Sequence, residues 1–283
     1  MRRAPAVVDN PAPCHANTLE QSKGGPVSSD ARWLVPDWPA PRGVRALITT
    51  RAGGVSRGPW GVPPLGEGGM NLGAGCGDDP AAVAANRRRL RALLPAEPRW
   101  LAQQHGARVV EAESVDAPPA ADASTALAHD VVCAVLVADC MPVLLADALG
   151  RGVAAAHAGW RGLAAGVLQA TARALRERLA DPTAELIAYL GPAIGPESFE
   201  VGPEVRDAMC ASLAEAPAAF RPLGGGKYLA DLFALGRQAL AQCGVERVYG
   251  GSQDTYTQPQ RFYSFRRDRV TGRHAALIWR ASI

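Results

Sequence analysis

Histidine is scarce in this chain, at five in 283 residues, and its six cysteines include no C-x-x-C pair. The cysteines are scattered at positions 14, 76, 133, 140, 210 and 243. This spacing argues against a compact zinc finger and a disulfide framework, so each thiol is read as free. No stretch reaches the ~18 apolar residues of a membrane-spanning helix, and a membrane is not an expected partner. The opening "MRRAPAVVDNPAPCH" has two arginines but no apolar segment behind them. It is not a secretory signal, and a cytoplasmic location is the expectation. Charge is also nearly balanced, at +3, with no basic run longer than "NRRRLR" (86–91). That run reads as the solvated face of a helix, and nucleic acid is not expected as a partner.

What the chain does have is apolar surface, 48% of its residues, enough for a large core. Residues 1–30 are rich in Pro, Ser, Gly and Asn and are expected to be a disordered extension. From residue 31 to 283 we expect one catalytic domain. "DDPAAVAANRRRLRALL" has an Asp cap, an early proline and helical apolar spacing. Residues 131–137 form an unbroken run of β-formers, which predicts a strand buried on both faces. "PVLLADA", "GVAAAHAGW", "AELIAYL", "VERVYGG" and "HAALIWR" read as further strands, and "WLAQQHGARVV" as strand, turn, strand. "RGLAAGVLQATARALRERLA" and "YLADLFALGRQALAQCG" read as helices. Strands and helices mix without strict alternation, which predicts an α+β fold with mixed sheets in a single domain. "GGGK" (224–227) lacks the rest of a phosphate-binding loop and reads as a plain loop.

Three side chains stand where a strand ends and a cleft begins. They are His105 in "QQHG", Cys140 in "ADCMP" and His157 in "HAGWRG". Two imidazoles and a thiolate suit Zn²⁺ with a fourth position open, the catalytic arrangement. Their separations, 35 and 17 residues, match no compact zinc motif. Two other readings stay open on spacing alone. Each residue is at home as an ordinary packed side chain, and Cys140 with a histidine base would make a cysteine nucleophile.

The segments "TTRAGGVS", "MNLGAGCGDDPAAVAANRRRL", "WLAQQHGARVV", "VLVADCMPVLLAD", "AAAHAGWRGLAAGVL", "LGPAIGPESFEVGPEV" and "RFYSFRRDRVTGRHAALIW" occur in this order. Together, from about residue 33 to the C-terminus, they resemble the YfiH family, also called the laccase-domain or polyphenol oxidase family. The resemblance implies a four-layer α/β/β/α sandwich. It implies a zinc site at His105, Cys140 and His157. Cys140, His105 and Asp139 are the catalytic candidates at that site. It implies a purine nucleoside enzyme that phosphorolyses adenosine, inosine and methylthioadenosine and deaminates adenosine. Purine nucleosides and phosphate are then the partners, and a monomer is expected. For substrate or phosphate the candidates are Arg51, Asn71, Arg161 and Arg267, with Arg266 beside the last, because guanidinium grips oxyanions through paired hydrogen bonds. Asp139 is expected to orient a ligand histidine or move a proton. A related branch, named for peptidoglycan editing, implies the metal-independent cysteine hydrolase as an alternative. A copper-binding polyphenol oxidase is another, since copper outranks zinc in intrinsic affinity. Five histidines are too few for a four-copper cluster. The chain departs from the family at Asp254, where a cysteine is usual.

Overall fold

The computed structural model describes residues 32–282. The extension expected over residues 1–30 lies outside them. In chain order the elements begin with β1 (Trp33–Leu34), β2 (Val44–Thr49), β3 (Ala52–Ser56) and α1 (Pro80–Arg91). Next come β4 (Val109–Glu111), β5 (Ala123–Ala126), β6 (Cys133–Val137), β7 (Met141–Asp147) and β8 (Val153–Ala158). The helices α2 (Trp160–Ala164) and α3 (Val167–Arg178) follow, then β9 (Leu186–Leu190), β10 (Glu200–Val201) and α4 (Pro203–Ser212). The chain closes with β11 (Phe220–Gly224), β12 (Lys227–Ala230), α5 (Leu232–Ala241), β13 (Arg247–Gly250), α6 (Phe265–Asp268) and β14 (His274–Arg280).

A mixed six-stranded sheet has the order β13-β9-β7-β8-β5-β4. Its outer pairs, β13 with β9 and β4 with β5, are parallel, and the rest are antiparallel. A four-stranded antiparallel sheet has the order β1-β2-β14-β6. Alternation along β7 explains how the two sheets stack. Met141, Val143 and Leu145 join a cluster with Leu163, Leu168, Leu175 and Leu235 of the helices. Leu144 and Ala146 point the other way, into a cluster with Ile48, Val135 and Ile278 of the smaller sheet. The far face of that sheet, with Leu47, Ala134 and Leu277, packs against Leu90, Met70 and Trp100. Burial on both faces is why the run in β7 is unbroken in the sequence. The packing order is therefore helices, six-stranded sheet, four-stranded sheet, then α1 with its loops.

The structure departs from the sequence reading in a few elements. The helix expected across 161–180 is two helices, because Gly166 stands at φ 82 between them. The strand–turn–strand expected around His105 has only its second strand, β4. The "NRRRLR" face is not wholly solvated. Asn86 is buried, and Arg87 lies over the Trp100 ring at 4.6 Å while donating to the Leu72 carbonyl. α1 itself starts as expected, with Asp79 accepting from the Ala81 amide. Gly224, Gly225 and Gly226, all at positive φ, turn the hairpin between β11 and β12.

Candidate metal centre

The ends of β7 and β8 lie side by side, with Pro142 opposite His157 and Met141 opposite Ala158. Cys140, just before β7, therefore meets His157 near the end of β8. The loop before β4 delivers His105. The three ligand atoms lie within 4.8 Å of one another. The two imidazoles stand edge to face, 4.7 Å between centroids. Gly159 makes room, since a Cβ there would sit 2.7 Å from Cys140 Sγ. His157 is buried, Cys140 half-buried and His105 exposed, so the centre opens to one side.

One carboxylate organises two of these groups. Asp122, just before β5, is buried and accepts from the amides of Gln104 (3.1 Å), His105 (2.8 Å) and Gly106 (2.8 Å). Those bonds hold the loop in the shape that places His105 at φ 59, a left-handed conformation rare for histidine. The same carboxylate lies 2.9 Å from His157 Nδ1. With Asp122 accepting from Nδ1–H, Nε2 is left as the ring's free donor atom, the arrangement that raises ligand basicity. Burial works against the Asp122 charge, but these hydrogen bonds outweigh it and hold its carboxyl below the usual range.

The thiol and His157 act on each other. Burial raises the Cys140 thiol, but the His157 charge and hydrogen bonds from both imidazoles bring it down to about 6. Burial lowers His157, but Cys140 and Asp122 raise it to about 9. At Cys133 burial wins instead: with no imidazole beside it, the thiol is pushed up to about 12 despite the nearby Ser124 hydroxyl. Cys140 is thus held as a thiolate, the form that binds metal or attacks an electrophile.

The other expected site residues fall elsewhere. Asp139 touches neither ligand histidine, which corrects its expected orienting role; Asp122 has that place. Its φ is 87, and its carboxylate accepts from Thr255 Oγ1 and from the Arg266 amide, both at 2.6 Å. Its carbonyl accepts from the Ile194 amide at 3.0 Å. It ties the loop before Cys140 to residues 193–199 and 254–268. Arg51 is also corrected. It is buried, and its guanidinium donates to the carbonyls of Gly61, Pro59 and Pro259 and to Asp268. Arg267 donates to the carbonyls of Thr255, Tyr256 and Phe262 and to Asp268. Asn71 is buried and joined to Gly73, Asp78 and the Arg273 amide. All three hold loops together and have little left to offer a ligand. Arg161 differs: it is exposed, lies 4.4 Å over the Trp160 ring, and has no acceptor among the described residues. Asp254, at the family's usual cysteine position, accepts from the amides of Gly195 and Tyr256 and from Ser198 Oγ, so it caps a turn.

Beside Cys140 lies a recess of about 130 Å³, walled by Trp160, Ile194, Phe199, Leu232 and Phe265, with Asp139 also lining it and Arg266 its one cationic side chain. Its walls suit a flat apolar ring. Of the four described histidines, His129 lies at the protein edge by Ala281 and His274 is sealed in the core. Among the described residues, the histidine and cysteine donors that come together could hold one metal ion. The His₂Cys set fits zinc with an open position, and it is also a set that copper accepts.

Known proteins share this chain's sequence and fold. A purine nucleoside phosphorylase of Pseudomonas aeruginosa is 51% identical over 248 residues, 87% of this chain and 98% of that protein. Purine nucleoside phosphorylase YfiH of Escherichia coli K12 is 50% identical over 252 residues, 88% of this chain and 99% of that protein. A crystal structure of a Neisseria meningitidis protein is 47% identical and covers 89% of this chain and all of its own, with a TM-score of 0.82. YlmD from Geobacillus stearothermophilus is 31% identical, covers 90% of this chain and 98% of its own, and has a TM-score of 0.81. Residues 45–281 match the family described as multi-copper polyphenol oxidoreductase laccase, and the chain belongs to that family.

Proposed function

We propose that this chain is a zinc-dependent purine nucleoside phosphorylase that also deaminates adenosine. The observation that carries the reading is the meeting of His105, Cys140 and His157 within 4.8 Å, with Asp122 behind two of them. The curated relatives named as purine nucleoside phosphorylases supply the substrate class. Zinc held by these three side chains would supply Lewis-acid chemistry and an activated water. The protein's own contributions follow from the geometry. Asp122 keeps a proton on His157 Nδ1 and so fixes the ring. The apolar recess excludes water from one side of the site and accepts the base. Arg161, with no protein acceptor among the described residues and stacked on Trp160, which lines the recess, is a cation available to phosphate. Adenosine, inosine and methylthioadenosine are the proposed nucleosides. A cytoplasmic monomer completes the proposal; no helix among the described residues is long and apolar enough to cross a membrane.

The test is product analysis with each nucleoside, with and without phosphate. The proposal predicts free base and ribose 1-phosphate only when phosphate is present, and inosine from adenosine without it. Absence of both activities in zinc-loaded protein would overturn it. A second reading rests on a specific observation. Cys140, His157 and Asp122 form a thiolate–imidazole–carboxylate series, the layout of a cysteine hydrolase acting on cell-wall peptides or amides. In that case activity survives chelation and is lost on alkylating Cys140.

A further inference from the structure

Arg266 is the one cation lining the recess beside Cys140; Asp139 also lines it, but its two carboxylate oxygens already accept from Thr255 and the Arg266 amide. Arg266 is half-buried, and its guanidinium lies 5.4 Å over the Phe199 ring. Its Nη1 donates to the Glu200 carbonyl at 2.7 Å. Its backbone amide is fixed on Asp139. Nε and Nη2 have no acceptor among the described residues. These two donors lie on one edge of the guanidinium and form a fork. The contrast with Arg267, the next residue, is direct: every nitrogen of its guanidinium donates within the fold.

A two-donor fork matches two neighbouring acceptors, either on an oxyanion or on the edge of a base. The walls decide between them. Ile194, Leu232, Phe199, Phe265 and Trp160 bring no second cation into the recess. A phosphate dianion against those walls would be desolvated with one partner, which is costly. A planar ring is at home there. The base edge that offers two acceptors to arginine is the O6/N7 edge of a 6-oxopurine, whereas adenine presents an amino donor at position 6.

We infer that Arg266 reads the O6/N7 edge of the base and makes 6-oxopurine nucleosides, such as inosine and guanosine, the preferred ligands of this site. The inference rests on the purine nucleoside reading above. Phe199 holds the guanidinium flat, the Glu200 carbonyl fixes its rotation, and Asp139 fixes its backbone. Adenosine binds more weakly because its N7 accepts one arginine donor while its amino group faces the other donor with a second N–H.

The test compares inosine with adenosine on the zinc-loaded protein, by calorimetric binding without phosphate and by kcat/KM with it. Inosine is expected to lead by about tenfold in both. Arg266→Gln, whose amide matches adenine's N6 and N7, should erase or invert that preference with metal content unchanged. Arg266→Lys keeps the charge but loses the fork, and should also lose the preference. Equal weakening of both nucleosides in Arg266→Gln, an unchanged preference in Arg266→Lys, or a selective rise in the KM for phosphate would overturn the inference. A wild type that turns over both nucleosides without preference would sink the inference alone. A wild type that neither binds nor converts any purine nucleoside would sink the functional reading beneath it as well.

Discussion

His157 and His274 are both buried imidazoles on β-strands, and they are held in opposite states. His157 has an aspartate behind its Nδ1 and a thiol beside it, and these raise it to about 9 against burial. His274 begins β14 with both ring nitrogens unpartnered among the described residues. It packs 5.7 Å from the Phe262 ring and 6.5 Å from Tyr263. Burial first, and the charge of Arg273 second, push it down to about 3. One residue type thus gives, without metal, a charged ring paired with a thiolate and a carboxylate in one place, which sheds its Nε2 proton to bind metal, and a neutral packing ring in another. The difference lies in the partners, since burial alone drives histidine toward neutrality.

The largest break in this comparison comes from taking the partner away. Asp122→Ala leaves the His157 ring unoriented and frees the amides of residues 104–106, which makes the site resemble that of His274. We expect metal affinity to fall by roughly 10- to 100-fold, measured by competition with a chromogenic chelator, with turnover falling in parallel. Asp122→Asn should retain part of the affinity, because its carbonyl still accepts from some of the same donors.

The next effect sharpens the other side. The unfolded chain binds a proton at His274 near pH 6.5, and the folded chain does so only near 3. Between these values the unfolded state carries the extra proton, so stability falls as pH falls through that window, by about 1.4 kcal/mol per pH unit from this group alone. Above pH 6.5 the group contributes no slope. Chemical denaturation of the wild type and His274→Phe at several pH values should show a shallower acid limb in the variant. Near-equal limbs would mean that His274 has a partner or is not sealed.

A smaller effect reads the thiol directly. In metal-free protein, alkylation of Cys140 should rise with pH around a midpoint near 6, while Cys133, raised to about 12, stays inert. His157→Ala should move the Cys140 midpoint upward, because the neighbouring positive charge is lost.

How far the sequence reveals this site depends on which forces act locally. β7 and β8 are legible because burial on both faces leaves continuous apolar runs. Cys140 and His157 are legible because they end those runs. Asp122 is not. It sits in "PPAADAS", outside the segments read as strands or helices, and it meets His157 only because β5 pairs with β8. A charged residue next to a short strand of small residues was the one available signal. The arginines fail for a related reason. Arg51, Arg161, Arg266 and Arg267 look alike in the sequence, and only the folded loops decide which of them have donors left for a ligand. The break at Gly166 was visible as a glycine within a helical pattern, and a glycine there reaches the left-handed conformation at little steric cost.

The measurement that tests the central claim most directly is metal content, by elemental analysis of purified wild type beside Cys140→Ala, with alkylation of Cys140 before and after chelation. We predict about one zinc per chain in the wild type and none in the variant, with Cys140 protected until the metal is removed. A wild type without metal, whose Cys140 alkylates freely from the start, would contradict the metal centre and move the same three side chains to nucleophilic catalysis.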